Sequence, residues 1–228
     1  MRPFGLVSHL IHNGSERCGL FRLEGARSAN MSKGDLTRQR IIELAAPLFN
    51  QRGFEGCSMQ DILDATGLKK GGIYRHFCSK EELAAESFRY TLARAFETRL
   101  PDLDSRLGAI EALQTLVQLF VELPSPIPGG CPILNTAIDA DDGNEVLRHL
   151  ARDGLVSWRN KVSEIVRAGI SRKQIRADVD PRAVANTIIA MLEGALMISR
   201  LEKSRVALKD ARRALEGMVS RLSTSSDS

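Results

Sequence analysis

Apolar residues recur every three to four positions along most of the chain, the spacing that places them on one face of an α-helix. The clearest stretch has five of them on such a face: Ile41, Leu44, Ala45, Leu48 and Phe49. Gly53 predicts the end of this helix, because glycine readily takes the left-handed conformation that closes helices. No stretch shows the sustained alternation of a β-strand, so the pattern predicts an all-α fold.

Helix starts and helix breakers predict how the rest of the chain is divided. Ser58 with Asp61 and Ser79 with Glu82 have the spacing of N-terminal capping boxes, which predicts helices over 58–67 and from 79 to about 99. A short helix over 69–77 is predicted between them. Later breakers, among them the PSPIPGG run and Pro181, predict five further helices over 104–123, 131–140, 144–171, 181–203 and 206–222.

These elements predict two folded units. Residues 31–80 are expected to form a three-helix unit, and residues 81–222 a larger helical unit. Residues 1–30 show neither helical nor strand periodicity and are interpreted as a disordered arm. We hypothesise that Met31 is the natural start and that the arm is an upstream extension. Residues 223–228, with the sequence STSSDS, are expected to form a solvated, disordered tail.

The net charge of +4 is unevenly distributed along the chain. Residues 1–80 have 12 Lys and Arg against 7 Asp and Glu, whereas residues 81–228 have 20 against 21. An anionic partner for the first third follows as a hypothesis, with nucleic acid favoured over a membrane surface. No window has about 18 uninterrupted apolar residues, so no membrane-spanning segment is predicted. The four cysteines form no CxxC pair, and reduced thiols in a cytoplasm are expected.

Two short helices joined by a Gly-containing turn and braced by a preceding helix have the pattern of a helix-turn-helix unit. The second of these helices, KKGGIYRHF at 69–77, would enter a major groove about 12 Å wide. Ile73 and Phe77 are expected to face the core. The residues left for the groove and the phosphates are Lys69, Lys70, Gly71, Gly72, Tyr74, Arg75 and His76.

The segment 37–83, TRQRIIELAAPLFNQRGFEGCSMQDILDATGLKKGGIYRHFCSKEEL, resembles the DNA-binding domain of the TetR family of bacterial regulators. The resemblance rests on the Gly53-Phe54 turn, the SMQDI entry at 58–62, Thr66-Gly67, GIYRHF at 72–77 and SKEEL at 79–83. It implies a three-helix DNA-binding domain followed by a helical ligand-binding and dimerisation domain. The function it implies is a cytoplasmic homodimeric repressor that a small-molecule effector releases from a double-stranded DNA operator.

The resemblance also implies roles for individual residues. Tyr74, His76 and Lys80 would contact phosphates, while Lys69, Lys70 and Gly71 would touch base edges or backbone. Gly72 would let the chain approach the DNA closely. Arg75 would read a base, since arginine pairs bidentately with guanine. Ser58 would present a backbone N–H to a phosphate, and Thr37 and Arg38 would lie near the flanking backbone.

The last two predicted helices would pack against their copies in a second subunit, as the resemblance implies. The interface is expected to use their apolar residues: Ala185, Ile188, Ile189, Leu192, Leu196, Leu208, Leu215 and Met218. The alternative is that these two helices complete the core of a monomer.

An effector pocket is expected among the helices at 80–171, with apolar walls that favour an apolar or aromatic effector. Candidate lining residues are Phe88, Leu92, Phe96, Leu116, Phe120, Cys131, Trp158, Val162 and Met191, each of which could instead be plain core. Cys131 follows two glycines and precedes Pro132, so it is expected at a helix N-terminus, where the helix dipole lowers the pKa of a thiol. A thiol- or electrophile-sensing regulator is therefore an alternative reading.

Catalytic motifs are missing from the sequence. It has no nucleophile elbow, P-loop, GxGxxG after a strand, or His-rich metal spacing. We therefore predict no enzyme activity, no cofactor and no metal site. A helical interaction module without specific DNA binding remains the other alternative.

Overall fold

The computed structural model describes residues 32–103, 106–140 and 143–224. The predicted arm at 1–30 and residues 225–228 of the predicted tail lie outside the described residues. Within them, the all-α prediction is confirmed. The helices are α1 (Lys33–Gly56), α2 (Met59–Thr66), α3 (Lys70–Tyr74), α4 (Lys80–Arg99), α5 (Ala109–Glu122), α6 (Pro132–Asp139), α7 (Glu145–Ser171), α8 (Pro181–Leu201) and α9 (Val206–Ser220).

Several helix bounds differ from the prediction for local reasons. α1 starts eight residues before Ile41, the first residue of its predicted apolar face, because Ser32 and Asp35 form a capping box that opens the helix at Lys33. Gly53 does take a left-handed φ of 75°, but a further turn follows it, so α1 is interrupted there rather than ended. α3 ends at Tyr74 instead of 77, and α5 starts at Ala109 instead of 104.

The first three helices share a small core with the start of α4. Ile41, Ile62, Ile73, Phe77 and Leu83 are all at most 1% exposed and pack together. Each short helix contributes one fully buried side chain, which fixes α2 and α3 against α1. This packing holds α3 in place although a five-residue helix is not stable alone.

The larger core lies among α5, α7, α8 and α9. Its most enclosed side chains include Val117, Val166, Leu192 and Leu215. A third, smaller cluster of Ala84, Ala85, Ala140 and Leu147 connects the two units and packs against Phe49 and Phe54 of α1. The first three helices and the larger bundle therefore meet through α4 and α6.

Seven of the eight residues predicted for a dimer interface are buried inside the subunit. They are Ala185, Ile188, Ile189, Leu192, Leu196, Leu208 and Leu215, each at most 9% exposed. They belong to the core that α8 and α9 form with α5 and α7, which leaves them no surface for a partner. The prediction is wrong for these seven. Met218 is half-buried against the same core and stays a prediction.

α8 is long and apolar enough to cross a membrane by length and composition, with a mean hydropathy of 1.4 over its most apolar window. In the structure 44% of that window is buried in the bundle, which is also how the core helix of a folded domain is placed. Beyond α9, Ser223 of the predicted tail forms a β-bridge with Ile175, and the Thr224 N–H donates to the Gln174 carbonyl, so the tail begins later than predicted.

Candidate DNA-binding surface and effector cavity

The turn between α2 and α3 sets the direction of the candidate recognition helix. Gly67 closes α2 in the left-handed conformation with φ 68°, and its N–H donates to the carbonyl of Leu63. The two glycines of α3 face different ways. A Cβ at Gly71 would meet nothing within 4 Å, whereas one at Gly72 would lie 3.5 Å from the side chain of Leu68. Gly71 is therefore outward, and Gly72 packs on the domain.

Five residues at α3 form an exposed recognition surface: Lys69, Lys70, Gly71, Tyr74 and Arg75. Tyr74 is 40% exposed, and the Nζ atom of Lys70 lies 5.8 Å from the centre of its ring. The structure thus brings together five of the eleven positions predicted to meet DNA on one face of the domain. Three cations and a phenol without apolar neighbours on the outside suit a polyanionic partner.

Two other predicted phosphate contacts are less exposed. His76 is half-buried at the end of the recognition helix. The Nζ atom of Lys80 lies 4.3 Å from the centre of the Phe54 ring, so its charge stabilises the joint between α1 and α4 through a cation–π contact. Both residues border the recognition surface and are not part of it.

Ser58 does not have a free backbone N–H for a phosphate, which corrects the predicted role. Its N–H donates to Asp61 Oδ2 at 2.8 Å, and its hydroxyl accepts from the Asp61 N–H at 3.1 Å. The Ser58 hydroxyl also donates to Asp61 Oδ2 at 2.6 Å, and this bond, the Ser58 N–H and Arg52 Nη1, which lies 2.6 Å from Asp61 Oδ1, hold the pKa of Asp61 down to about 2. Met59 and Gln60 lie in the first turn of α2, where backbone N–H groups have no intrahelical acceptor, and they are the donors that the sequence did not single out.

Arg38 is directed at α4, away from the recognition surface. Its guanidinium lies 3.7 Å from Glu82, 3.6 Å from Glu86 and 4.7 Å from the centre of the Phe77 ring. Thr37 is half-buried and donates its hydroxyl to the Lys33 carbonyl at 2.9 Å. Arg38 therefore joins the DNA-binding unit to α4, which replaces its predicted position at the flanking backbone.

A second joint links α1 to α6, and sequence reasoning missed it. Asn135 Nδ2 donates to the Asn50 carbonyl at 2.9 Å and to the Gly129 carbonyl at 2.8 Å, while Asn50 Nδ2 donates to the Pro128 carbonyl at 2.9 Å. Asp139 accepts from the Phe54 N–H at 2.6 Å, next to the interruption at Gly53. The only sequence signal was the glycine pair before α6.

Five of the nine predicted effector-contacting residues line one small cavity of about 20 Å³, which we call the inner cavity: Leu92, Phe96, Phe120, Cys131 and Trp158. Arg99 also lines it. An adjoining cavity of about 10 Å³ shares Phe120 and Trp158 with it and is lined by Leu116 and Val162. The Phe120 and Trp158 rings stack with centroids 5.5 Å apart, between the two cavities.

Phe88 and Met191 do not line these cavities. Phe88 faces a different cavity of about 30 Å³ at the joint of α1, α4, α6 and α7, together with Asn50 and Asn135. Met191 is half-buried against the main core. The packing of α4 sets the direction of the Phe88 side chain, and the packing of α8 sets that of Met191. Helical spacing alone did not predict either direction.

Cys131 is at the N-terminus of α6, as predicted, but it is not an activated thiol. It is 5% exposed, and burial raises its pKa well above the usual value, with the nearby Glu193 carboxylate raising it further. The N–H groups of Ile133 and Leu134 lower the pKa less strongly. The expected lowering of this pKa is therefore wrong, because desolvation outweighs the helix terminus.

Exposed apolar residues lie at the carboxyl-terminal half of α8 and the start of α9. Met197 is 49% exposed, Ile198 41%, Leu201 77% and Val206 58%. A Cβ at Gly194, one turn before Met197, would meet nothing within 4 Å. We call Gly194, Met197, Ile198 and Leu201 the outer face of α8. It lies on the predicted pair of dimerisation helices but opposite the residues predicted for the interface.

Comparisons with known proteins agree with this arrangement. The family model "Bacterial regulatory proteins, tetR family" matches residues 41–86, and the model "Tetracyclin repressor-like, C-terminal domain" matches residues 109–215. The HTH-type transcriptional repressor DhaR of Mycobacterium sp. (strain GP1) is 27% identical over 175 residues, which are 75% of this chain and 86% of DhaR.

Two solved structures are more similar in sequence. A TetR transcriptional regulator from Chloroflexus aurantiacus J-10-FL is 40% identical, with 85% of this chain and 98% of that chain covered and a TM-score of 0.80. A TetR-family regulator from Cytophaga hutchinsonii is 34% identical, with 86% and 100% covered and a TM-score of 0.80. The matched segments include both the recognition surface and the helical bundle, and the chain belongs to the TetR family of transcriptional regulators.

Proposed function

We propose that this ligand-responsive, DNA-binding repressor contacts its operator through the recognition surface and acts as a homodimer. The observation that carries the proposal is the recognition surface itself. Its lysines, arginine and tyrosine are exposed, and α3 is held by Ile73 and Phe77 from behind. A helix of this kind inserts its outward residues into a major groove, and Gly71 lets the backbone come close to the DNA.

Dimerisation through the outer face of α8 supports the proposed geometry. A two-fold axis through this face would pair the same patch on both subunits, and it would cover the exposed Met197, Ile198 and Leu201. Two recognition helices about 34 Å apart would then reach successive turns of one face of the duplex. The operator expected on this basis has two related half-sites.

Effector binding in the inner cavity is proposed to reach the DNA through two helices. α4 lines the cavity with Leu92 and Phe96 and contacts Arg38 at its other end. α6 lines the cavity with Ile133 and holds α1 through Asn135 and Asp139. A ligand that shifts either helix would change the separation of the two recognition helices and lower specific affinity.

The test is binding to DNA from upstream of the chain's own gene, measured by fluorescence anisotropy at about 150 mM salt with excess competitor DNA. Tyr74→Ala should lower affinity for the specific site by at least about tenfold, since a hydrogen bond to a charged phosphate is lost. Tyr74→Phe keeps the ring and separates loss of the hydroxyl from loss of packing. The melting temperature should stay unchanged in both variants.

Two outcomes contradict the proposal. Equal binding to the upstream DNA and to random DNA would favour the helical interaction module without specific recognition. Specific binding that survives Tyr74→Ala unchanged would mean that another surface reads the operator.

A further inference from the structure

We propose that a groove beside the turn from α8 to α9 binds a multiply charged oxyanion of the phosphate class. The groove lies between that turn and the carboxyl-terminal end of α5 with the loop that follows it, and we call it the outer groove. Its volume is about 350 Å³, which is enough for a small molecule. This site goes beyond the proposed function and does not depend on operator binding.

The charged residues that line the outer groove are all cations: Arg99, Arg200, Lys203 and Arg205. Among the described residues, no Asp or Glu lines it. A groove lined by one sign of charge concentrates ligands of the opposite sign. The outer groove therefore selects an anion over a neutral or cationic ligand.

Acidic neighbours balance part of this charge. The Glu193 carboxylate interacts with Arg99, so the charge of Arg99 is already opposed from within the bundle. The Glu122 carboxylate bonds to Arg212 and also acts on Arg205. Neither Arg99 nor Arg205 is therefore a fully free cation for a ligand.

Arg200 and Lys203 supply the charge that remains. Neither forms an ion pair within the part of the chain that the structure describes. Arg200 uses one guanidinium nitrogen, Nη1, to donate to the Gly129 carbonyl, which leaves its other nitrogens for a ligand. A guanidinium can donate to two oxygens of one phosphate, and an ammonium adds a further charge-assisted bond. Two uncompensated cations thus suit a multiply charged oxyanion better than a monovalent anion.

The floor of the outer groove has polar atoms that the chain leaves unpaired. Ser199 Oγ and Arg99 Nε are buried and have no hydrogen-bond partner among the described residues, and both residues line the groove. Buried polar atoms without a partner are uncommon in folded proteins, and a bound water or ion is one of the usual reasons for them. These two atoms are an observation independent of the charge, and they point to a ligand at the same place.

The backbone at Lys203 has a conformation that glycine adopts more readily than lysine. Lys203 follows the end of α8 with a left-handed φ of 50°. The next N–H, of Ser204, donates to the Ser199 carbonyl at 3.1 Å, which is the pattern that commonly ends a helix at a glycine. Lysine at this position lowers stability relative to glycine. The amino group is therefore present beside the groove at a cost to the fold.

The proposed dimer leaves the outer groove open. Leu196, Ser199 and Arg200 line the groove and lie three or four positions apart, on one side of α8. The outer face of α8 lies on the opposite side, since successive residues turn by about 100° around a helix. A partner subunit on the outer face would not cover the groove.

The experiment measures binding to the full chain by isothermal titration calorimetry, at about pH 8 and a constant ionic strength of about 150 mM. The probes are inorganic phosphate, pyrophosphate and phenyl phosphate, and acetate is the monovalent comparison. At least one phosphate probe should bind saturably, once per subunit and at least about tenfold more tightly than acetate. Tighter binding of phenyl phosphate would identify the ligand as a phosphate ester, and tighter binding of phosphate or pyrophosphate as a free inorganic anion.

Lys203→Gly separates the loss of charge from loss of the fold. It should weaken phosphate binding by about tenfold or more, while the melting temperature stays equal or rises, because glycine relaxes the left-handed backbone. Lys173→Gly is the matched control. Lys173 has a left-handed φ of 59° after the end of α7 and does not line the groove, so this variant should leave phosphate binding unchanged.

A further control tests the other cationic surface of the chain. Arg75→Gln removes a charge from the recognition surface and should also leave binding of the phosphate probes unchanged. Arg200→Gln should weaken it, and circular dichroism shows whether that variant is folded.

Three outcomes would overturn the proposal. They are phosphate binding no tighter than acetate binding, phosphate binding that Lys203→Gly does not weaken, and phosphate binding that Arg75→Gln abolishes. The last would place the probe on the recognition surface. Operator binding is measured separately with Tyr74→Ala, so failure of the phosphate site and failure of the proposed function give different results.

Discussion

At the residue scale, the role of a side chain depends on which of its atoms already have a hydrogen-bond or ion-pair partner within the chain. Tyr74 and Gly71 have their outward sides open, whereas Ser58 has both its N–H and its hydroxyl engaged with Asp61. Arg38 and Arg99 are both arginines near a helix end, yet one joins two helices and the other lines a cavity. Residue type and helical spacing predicted that these positions matter, but not the partner of each.

Asp61 gives a prediction about pH. Its folded pKa of about 2 lies below its usual value of 3.8, so its contribution to stability is fully present above about pH 4. That contribution is lost as the pH falls through about 2. Asp61→Asn should therefore lower the free energy of unfolding at pH 7, and the gap to the wild type should close between about pH 4 and 2.

The measurement is urea unfolding of both proteins from pH 7 to pH 2. Asp64→Asn, an exposed position on the same helix that pairs with Gln60, is the control for loss of a charge on α2. A gap between wild type and Asp61→Asn that stays constant over this range would contradict the assignment.

At the element scale, α6 is the helix that touches both units. One side of it lines the inner cavity through Ile133, and another holds α1 through Asn135 and Asp139. Its eight residues and its proline at the first position were predictable from sequence. The joint to α1 was not, because the two segments are 85 residues apart along the chain.

Asn135→Asp tests this joint while keeping the shape of the side chain. The variant loses the Nδ2 donor of three hydrogen bonds and places a negative charge beside two backbone carbonyls and the side-chain oxygen of Asn50. The free energy of unfolding should fall by about 1–3 kcal/mol, since half-buried acceptors lose their partner. Asn160→Asp, on the exposed side of α7, should change it by less than about 0.5 kcal/mol. Equal effects of the two substitutions in urea unfolding would mean that the joint contributes no stability.

At the scale of the whole molecule, each subunit has a closed hydrophobic core and, in addition, an apolar surface exposed to solvent. The core uses Ile188, Leu192 and Leu215, which are at most 2% exposed. The remaining surface, the outer face of α8, has large side chains in contact with solvent, which is what an interface between copies leaves on a single chain. In the proposed homodimer, dimerisation and core formation use opposite sides of the same helix.

Leu201→Glu should convert the dimer to a monomer, because it places a charge at the centre of an apolar interface on both subunits. Light scattering coupled to size-exclusion chromatography at micromolar concentration measures the mass. Ile138→Glu on α6 is the matched control, since Ile138 is 72% exposed and Leu201 77%. The monomer should also bind operator DNA more weakly. A variant Leu201→Glu that stays dimeric would place the interface elsewhere.

The sequence by itself determined the local properties of this protein. The capping box at Ser58, the N-cap at Ser79, the left-handed Gly67 and the helical repeat of apolar residues depend on neighbours within a few positions. Such interactions are encoded in short segments, so the order of the helices and the recognition helix could be predicted. The motifs at 37–83 identified the family for the same reason.

Only the tertiary structure decided which side of each helix faces the core, the cavity or a partner. α8 has apolar residues on both sides, so its periodicity does not distinguish Leu192 in the core from Leu201 in solvent. Arg99 and Glu193 interact because α4 and α8 pack in the same bundle, and their spacing along the chain does not predict this interaction. The burial of a side chain and the identity of its contacts are properties of the folded bundle, because they depend on residues that are distant in sequence and adjacent only after folding.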